Sequence, residues 1–327
     1  MKRSDSRILT THTGSLPRPS DLVEALNAKE LGRNYDAHAL AERVRRAIAE
    51  IVARQTATGL DIINDGEHSK VSWMAYARER LSGLEEIDSP VRFRGATRDS
   101  LAFPGAYEDM RVMFAARSSA IVAKRTVRPK AWVCSGPIAY VGQKELRIDI
   151  ENLKAALKDA KAEDAFLTAI SPSNLELYYE NQYYRSGEEY LTALADAMRV
   201  EYQAIVDAGF VLQIDDPRMA THYNRTPDAS VEDCRKFMAL RIEALNYALR
   251  GIPPERIRFH TCYSVNIAPR VFDFELRHFI DLLLQVHAGA YVFEAANPRH
   301  EHAWELWRET KLPDDKILIP GVVSHCI

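Results

Sequence analysis

The chain has 327 residues, 46% hydrophobic and 27% charged, with a formal charge of −3. It is long enough for one large barrel or two ordinary domains and has no global attraction for nucleic acid or anionic membrane. No apolar run approaches the roughly 18 residues of a membrane span, and the start MKRSDSRILTTHTGSLPRP lacks a secretory apolar segment, so a cytoplasmic protein with small-molecule partners is expected.

The first clear element is a helix from Asp36 to Gly59, where Leu40, Val44, Ile48, Ile51 and Val52 recur at helical spacing. Asp36 caps its start and Gly59 closes its end. Leu60 to Asn64 is apolar and too short for a helix, so it reads as a buried strand running into the polar group Asp65 to His68. Ser82 to Arg128, rich in charge and aromatic residues, reads as an excursion over the mouth of the fold without assignable elements. A second helix spans about Gly187 to Asp207, with Ser186 and Glu189 as a capping box and Gly209 at its close. The strand Phe210 to Ile214 follows and ends in Asp215 to Arg218.

Two more turns of this cycle come next. A helix around Val231 to Leu249 leads to the strand Ile257 to Phe259, with His260 and Cys262 at its end. A helix around Phe274 to Val286 leads to the strand Ala290 to Phe293, ending at Glu294. Lys316 to Ile319 is a further strand, before the final PGVVSHCI. Helices alternating with short apolar strands imply a parallel sheet, because each parallel pairing needs a crossover. A (β/α)8 TIM barrel and a doubly wound open sheet both gather strand ends on one side. No Gly-x-Gly-x-x-Gly and no P-loop follows any strand, which lowers the nucleotide-binding reading.

The strand ends carry Glu67, Asp215, His260, Cys262 and Glu294. Imidazole, thiolate and carboxylate on one rim are what zinc binds, and a spacing of two on an extended strand puts His260 and Cys262 on one face. Bland readings stand beside this. His260 is then a satisfied core histidine, Cys262 an inert thiol, Glu294 a partner of Arg299 or His300, and Asp215 a partner of Arg218. The four cysteines, Cys134, Cys234, Cys262 and Cys326, have no CxxC spacing and argue against a disulfide framework.

Six motifs occur in one order: TTHTGSLPRP (10–19), GLDIINDGEHSK (59–70), SGP (135–137), LQIDDP (212–217), HTCYS (260–264) and FEAANPRHEH (293–302). On these the chain resembles the C-terminal barrel of the cobalamin-independent methionine synthase family and its single-domain relatives, which include epoxyalkane:coenzyme M transferase. The resemblance covers nearly the whole chain and implies a single zinc-dependent barrel domain over 1–327, acting on a thiol acceptor and an alkyl donor.

The resemblance implies His260, Cys262 and Glu294 as zinc ligands. It places Gly14, Ser15, Glu67 and Asp215 around the thiol substrate, with Glu67 and Asp215 suited to the ammonium group of homocysteine. Arg18 is the residue available for a sulfonate acceptor such as coenzyme M, and His325 is the nearest candidate for the acid that protonates the leaving group. Three departures accompany it. The chain has no room for the N-terminal barrel of the full-length enzymes. Gln143 stands near where the family stacks a tryptophan on folate. The family's last zinc cysteine, in an Asp-Cys-Gly element, is not reached, with Cys326 in the preceding segment, so a C-terminally truncated chain lacking the last βα unit is expected. The rival from another class is a metal-free lyase of the uroporphyrinogen decarboxylase type.

Overall fold

Nine short strands and the helices between them make up the computed structural model, which describes residues 1–90, 95–110, 130–263 and 269–324. In chain order the strands are β1 (Ile62–Ile63), β2 (Leu84–Pro90), β3 (Lys130–Cys134), β4 (Asp164–Ile170), β5 (Glu180–Asn181), β6 (Val211–Asp215), β7 (Ile257–His260), β8 (Ala290–Glu294) and β9 (Ile317–Gly321). Six of them form one sheet in the order β1-β4-β6-β7-β8-β9, every pairing parallel. Thr11 bridges in parallel to Ile62 and extends the sheet beyond β1. The result is a curled parallel sheet with helices outside, half of a TIM barrel.

Alternation along the strands decides which side faces what. Leu167, Leu212, Ile214, Ile257, Phe259 and Tyr291 point outward and join the main core under the helices. Ile62, Phe166 and Val211 form a separate cluster with Met1 and Leu9, on the concave side. Phe166 pairs with Val211 in register, Thr168 with Gln213, Gln213 with Arg258, and Asp215 with His260. The concave face is thus apolar at the strand starts and polar from its middle upward.

The long helices follow from their sequences. Ala37–Ala57 is capped by Asp36, whose Oδ1 accepts from the His38 and Ala39 amides, and Gly59 closes it at φ 84°. Gly187–Asp207 is capped by the Ser186 hydroxyl, while the Glu189 carboxylate turns back to the amide of Arg185, one residue earlier than a capping box requires.

Two readings of the sequence change, and one strand was not read at all. β4 is an inner strand, paired with β1 on one side and β6 on the other, and DAFLTAI was not read as a strand although Ser-Pro-Ser-Asn follows it. The expected helix over Phe274 to Val286 is a 3-10 turn at Leu276–His278 followed by the short helix Ile280–Leu283. The Phe274 and Phe279 rings stack with centroids 5.5 Å apart, a spacing of five residues that a continuous α-helix would put on different faces. The Phe274 carbonyl accepts from the Tyr263 hydroxyl instead.

Within 82–128, β2 pairs antiparallel with β3, which pairs parallel with β5 in a second small sheet. The helix Arg98–Ala102 docks on the helix Pro217–Arg225 after β6 and on the loop after β7, with Arg98 donating to the Tyr223 carbonyl at 2.9 Å and Asp99 accepting from the Val271 amide at 2.7 Å. Residues 91–94 and 111–128 of that segment lie outside the described residues.

Phe259 is fully buried between sheet and helices. Phe259→Ala is expected to lower stability by about 3–5 kcal/mol through lost burial and the cavity left behind, read from the urea midpoint. A loss under about 1 kcal/mol would show that the outward face is not close-packed.

Candidate active site on the concave face

The loop after β1 turns sharply. Gly66 and Glu67 are both left-handed, at φ 64° and 57°, and Glu67 is the one such non-glycine residue among those described. A side chain in that region costs about 1 kcal/mol or more, so the surroundings must over-determine it. They do: Arg18 donates through Nε and Nη2 to the Glu67 carbonyl at 3.2 and 2.8 Å, and Asp65 Oδ1 accepts the Glu67 amide at 2.9 Å.

The turn sends the Glu67 carboxylate inward. Its Oε1 accepts from the Thr168 hydroxyl at 2.6 Å and its Oε2 from the Ser15 hydroxyl. Lys70 donates to the Thr168 carbonyl and hydroxyl at 2.9 and 3.0 Å. Burial opposes the charge on Glu67, but the nearby Lys70 ammonium and the two hydroxyls outweigh it and hold the acid below its usual range. Gly14 is required here: its φ is 145°, and a Cβ would sit 3.1 Å from Thr168 Cγ2 and 3.3 Å from Glu67 Oε1.

Two strands away, His260 Nδ1 lies 2.8 Å from Asp215 Oδ1, which also accepts from Gln213 Nε2 at 2.8 Å. Burial works against the imidazolium, but hydrogen bonds to Asp215 and Cys262 raise the His260 pKa to about 10. Asp215 therefore spends one oxygen orienting the ring and leaves Nε2 as the remaining ring nitrogen. Cys262 is a free, half-buried thiol just past the strand end. Glu294, on β8, accepts from the Tyr263 amide and from Asn297 Nδ2, both at 2.8 Å.

His260, Cys262, Glu294, Asn297 and Arg258 line one cavity of about 650 Å³ that opens beside β9. The bland pairings give way to these. Asp273, not Glu294, takes His300 at 2.8 Å and Arg299 at 3.2 Å. Glu176, not Asp215, takes Arg218 at 2.7 Å.

The structure thus sorts the residues named from the sequence into two adjoining groups. Gly14, Ser15 and Glu67 meet around Thr168 and Lys70, while Asp215, His260, Cys262 and Glu294 meet at the ends of β6, β7 and β8. Arg18 supports the Glu67 turn from behind, and His325 and Cys326 lie outside the described residues. Thr168, Gln213, Arg258 and Asn297 were missed. The signal that would have found Gln213 and Arg258 is the inward phase of strands already recognised, since each precedes a named residue by two.

The donors fit zinc in kind, since an imidazole, a thiol and a carboxylate line one cavity, and a bound metal would displace the protons that His260 and Cys262 carry. Among the described residues, no three His, Cys, Asp or Glu side chains are clustered closely enough to hold an ion. His260 and Cys262 are the pair in contact, and Glu294 is held aside by Tyr263 and Asn297.

Residues 8–165 match the family described as cobalamin-independent synthase, catalytic domain. The methionine synthase of Sulfurisphaera tokodaii is 25% identical over 259 residues, 78% of this chain and 61% of that protein. That of Thermococcus kodakarensis is 24% identical over 316 residues, 91% of this chain and 79% of that one. Among solved structures, a putative vitamin-B12 independent methionine synthase from Listeria monocytogenes superimposes with a TM-score of 0.64 at 18% identity, over 98% of this chain and 82% of that one. The chain is thus similar to the cobalamin-independent synthase catalytic domain over residues 8–165 and to relatives named methionine synthase. The matched family span carries Gly14, Ser15, Arg18 and Glu67 and stops before Asp215, His260, Cys262 and Glu294. The Sulfurisphaera match spans about three fifths of that relative, 61% of its length.

Asp65 is fully buried beside this group, and burial, the largest cause, raises its pKa from 3.8 to about 6; its Oδ2 has no partner among the described residues. The folded protein holds that proton to higher pH than the unfolded chain, so stability falls as pH rises from about 4 to about 6. Asp65→Asn is expected to raise stability by about 1–3 kcal/mol at pH 8 and to make no difference below about pH 4, measured as unfolding free energy against pH. A pH-independent effect would refute the assignment.

Proposed function

We propose that the chain is a single zinc-dependent barrel domain over 1–327 that transfers a methyl or larger alkyl group to a thiol, in the manner of the methionine synthases it resembles. The observation that carries this reading is the meeting of an Asp215-oriented imidazole, a thiol and a carboxylate on one cavity at the ends of adjacent strands.

His260 and Cys262 would hold the metal, with Glu294 the carboxylate on the next strand. Zinc bound there lowers the pKa of a coordinated thiol from its free value of about 8.5, so that a thiolate nucleophile exists at neutral pH. Asp215 keeps the His260 ring in one orientation and, by occupying Nδ1, presents Nε2 to the cavity. Glu67, held ionised by Lys70, Ser15 and Thr168, is a preformed anion for a cationic group of the acceptor, as homocysteine has. His325 is the residue proposed to protonate the leaving group. At the position near the family's folate-stacking tryptophan stands Gln143, an exposed residue starting the helix Gln143–Leu157, which leaves donors other than methyl-folate within the reading.

Elemental analysis of the protein equilibrated with zinc and desalted tests the core of this. About one zinc per chain is expected, lost in His260→Ala and in Cys262→Ser while circular dichroism stays unchanged. Asp215→Asn should weaken zinc affinity about 10–100-fold, because it removes the ring's orienting acceptor. Zinc content that is absent from the parent chain, or indifferent to these substitutions, would sink the metal reading in favour of the lyase. Homocysteine and coenzyme M, each offered with methyl-folate and epoxide donors, then define the transfer.

A further inference from the structure

We propose that Arg98 and Asp99 are positioning residues, which clamp the loop after β7 to the helix after β6 and thereby fix Cys262 relative to Glu294. The clamp stands on its own geometry; its consequence for a metal rests on the transfer reading above.

Adjacent residues of opposite charge take opposite backbone groups here. The helix Pro217–Arg225 ends with carbonyls that have no intrahelical partner. Arg98 donates to the Tyr223 carbonyl at 2.9 Å, to that of Thr226 at 3.4 Å and to that of Ala229, and its guanidinium lies 4.0 Å over the Tyr223 ring. Asp99 faces the other loop: its Oδ1 accepts the Val271 and Phe272 amides at 2.7 and 3.1 Å. Its own amide donates to Asn224 Oδ1 at 3.1 Å, which returns the contact to the first helix. Thr97 and Ser100 form a capping box around the same turn, so both residues are presented from a fixed backbone.

Asp99 is fully buried, and a buried carboxylate is costly unless it is hydrogen-bonded. The two amides that satisfy it belong to the segment folded around Tyr263, the residue that follows Cys262. Arg270 donates to the Tyr263 carbonyl, and the Phe274 carbonyl accepts from the Tyr263 hydroxyl at 3.1 Å. Asp273 holds Arg270 and, at 2.8 Å, His300, whose ring stacks on that of Tyr263 with centroids 3.6 Å apart. The Tyr263 amide then donates to Glu294 Oε1 at 2.8 Å. Residues 270–274 therefore control Tyr263, and Tyr263 joins the thiol's backbone to the carboxylate. Asp99 holds the middle of that segment.

A clamp of this kind acts locally, whereas a merely structural contact would stabilise the whole domain. The test uses the full chain without zinc. Cys262 is alkylated with iodoacetamide and followed by peptide mass spectrometry, which separates it from the other cysteines, and amide hydrogen exchange is measured on the same samples. In Asp99→Ala, exchange at Val271 and Phe272 and alkylation of Cys262 are expected to speed up about tenfold or more, while β4 and β6 exchange as in the parent. Asp99→Asn keeps the accepting oxygen and should restore most of the protection. Arg98→Met should give the same pattern as Asp99→Ala. With zinc added, affinity should fall about tenfold or more in Asp99→Ala and recover in Asp99→Asn.

Unchanged Cys262 alkylation in a folded Asp99→Ala would overturn the proposal, and so would exchange accelerated equally in β4 and β6. If Asp99→Ala does not fold, Arg98→Met decides, and parent-like alkylation there overturns it. If the parent binds no zinc while Cys262 still responds to Asp99→Ala, the metal reading fails and the clamp stands.

Discussion

Side chains of a β-strand alternate between two faces, and in a curled parallel sheet one face must go under helices while the other lines the interior. Nearly everything described follows from the phase of that alternation. Leu212, Ile214, Ile257 and Phe259 take the helix side and supply the cohesion of the domain. Gln213, Asp215, Arg258 and His260, interleaved with them, are forced together on the concave side in register-matched rows. A shift of one residue in β7 would bury His260 under helices and present Phe259 to the cavity.

The second constraint is strain held in place by polar contacts. Glu67 keeps an unfavourable backbone because Arg18 grips its carbonyl and Asp65 its amide, and the side chain so aimed is satisfied by Ser15 and Thr168 from two other segments. Such closure from sequence-distant residues makes the carboxylate's position and charge insensitive to small motions. The His260 end is less closed: Asp215 and Cys262 engage the ring, while Gln213 Oε1 and Arg258 Nε have no partner among the described residues. One half of the site is a finished polar network, and the other is a set of donors around open space.

How much of this the sequence displayed depends on the range of the interaction. The helix after Asp36 was legible because capping and apolar spacing are local, and His260 with Cys262 because a spacing of two on a strand needs no partner to interpret. The helix expected at Phe274 was not, since stacked rings of Phe274 and Phe279 and the Tyr263 hydroxyl override local preference there. Arg258 lay inside a recognised strand and was not singled out, because an arginine's meaning depends on what faces it across the sheet. The pairing of Asp215 with Arg218, adjacent in sequence, lost to His260, 45 residues away, because β6 and β7 pair in register at that row.

By itself, the sequence determined the alternation of helix and strand, the parallel architecture, and the gathering of Glu67, Asp215, His260, Cys262 and Glu294 at strand ends, since periodicity and short-range spacing carry these. Tertiary structure alone decided that Asp215 serves His260, that Thr168 and Lys70 hold Glu67, that Glu294 rests on Asn297, and that Arg258 lies buried over the Phe166 ring. The contacts of Asp215 with His260, 45 residues apart, and of Thr168 with Glu67, 101 apart, depend on strand register and sheet curl, which arise only when separate strands share one face.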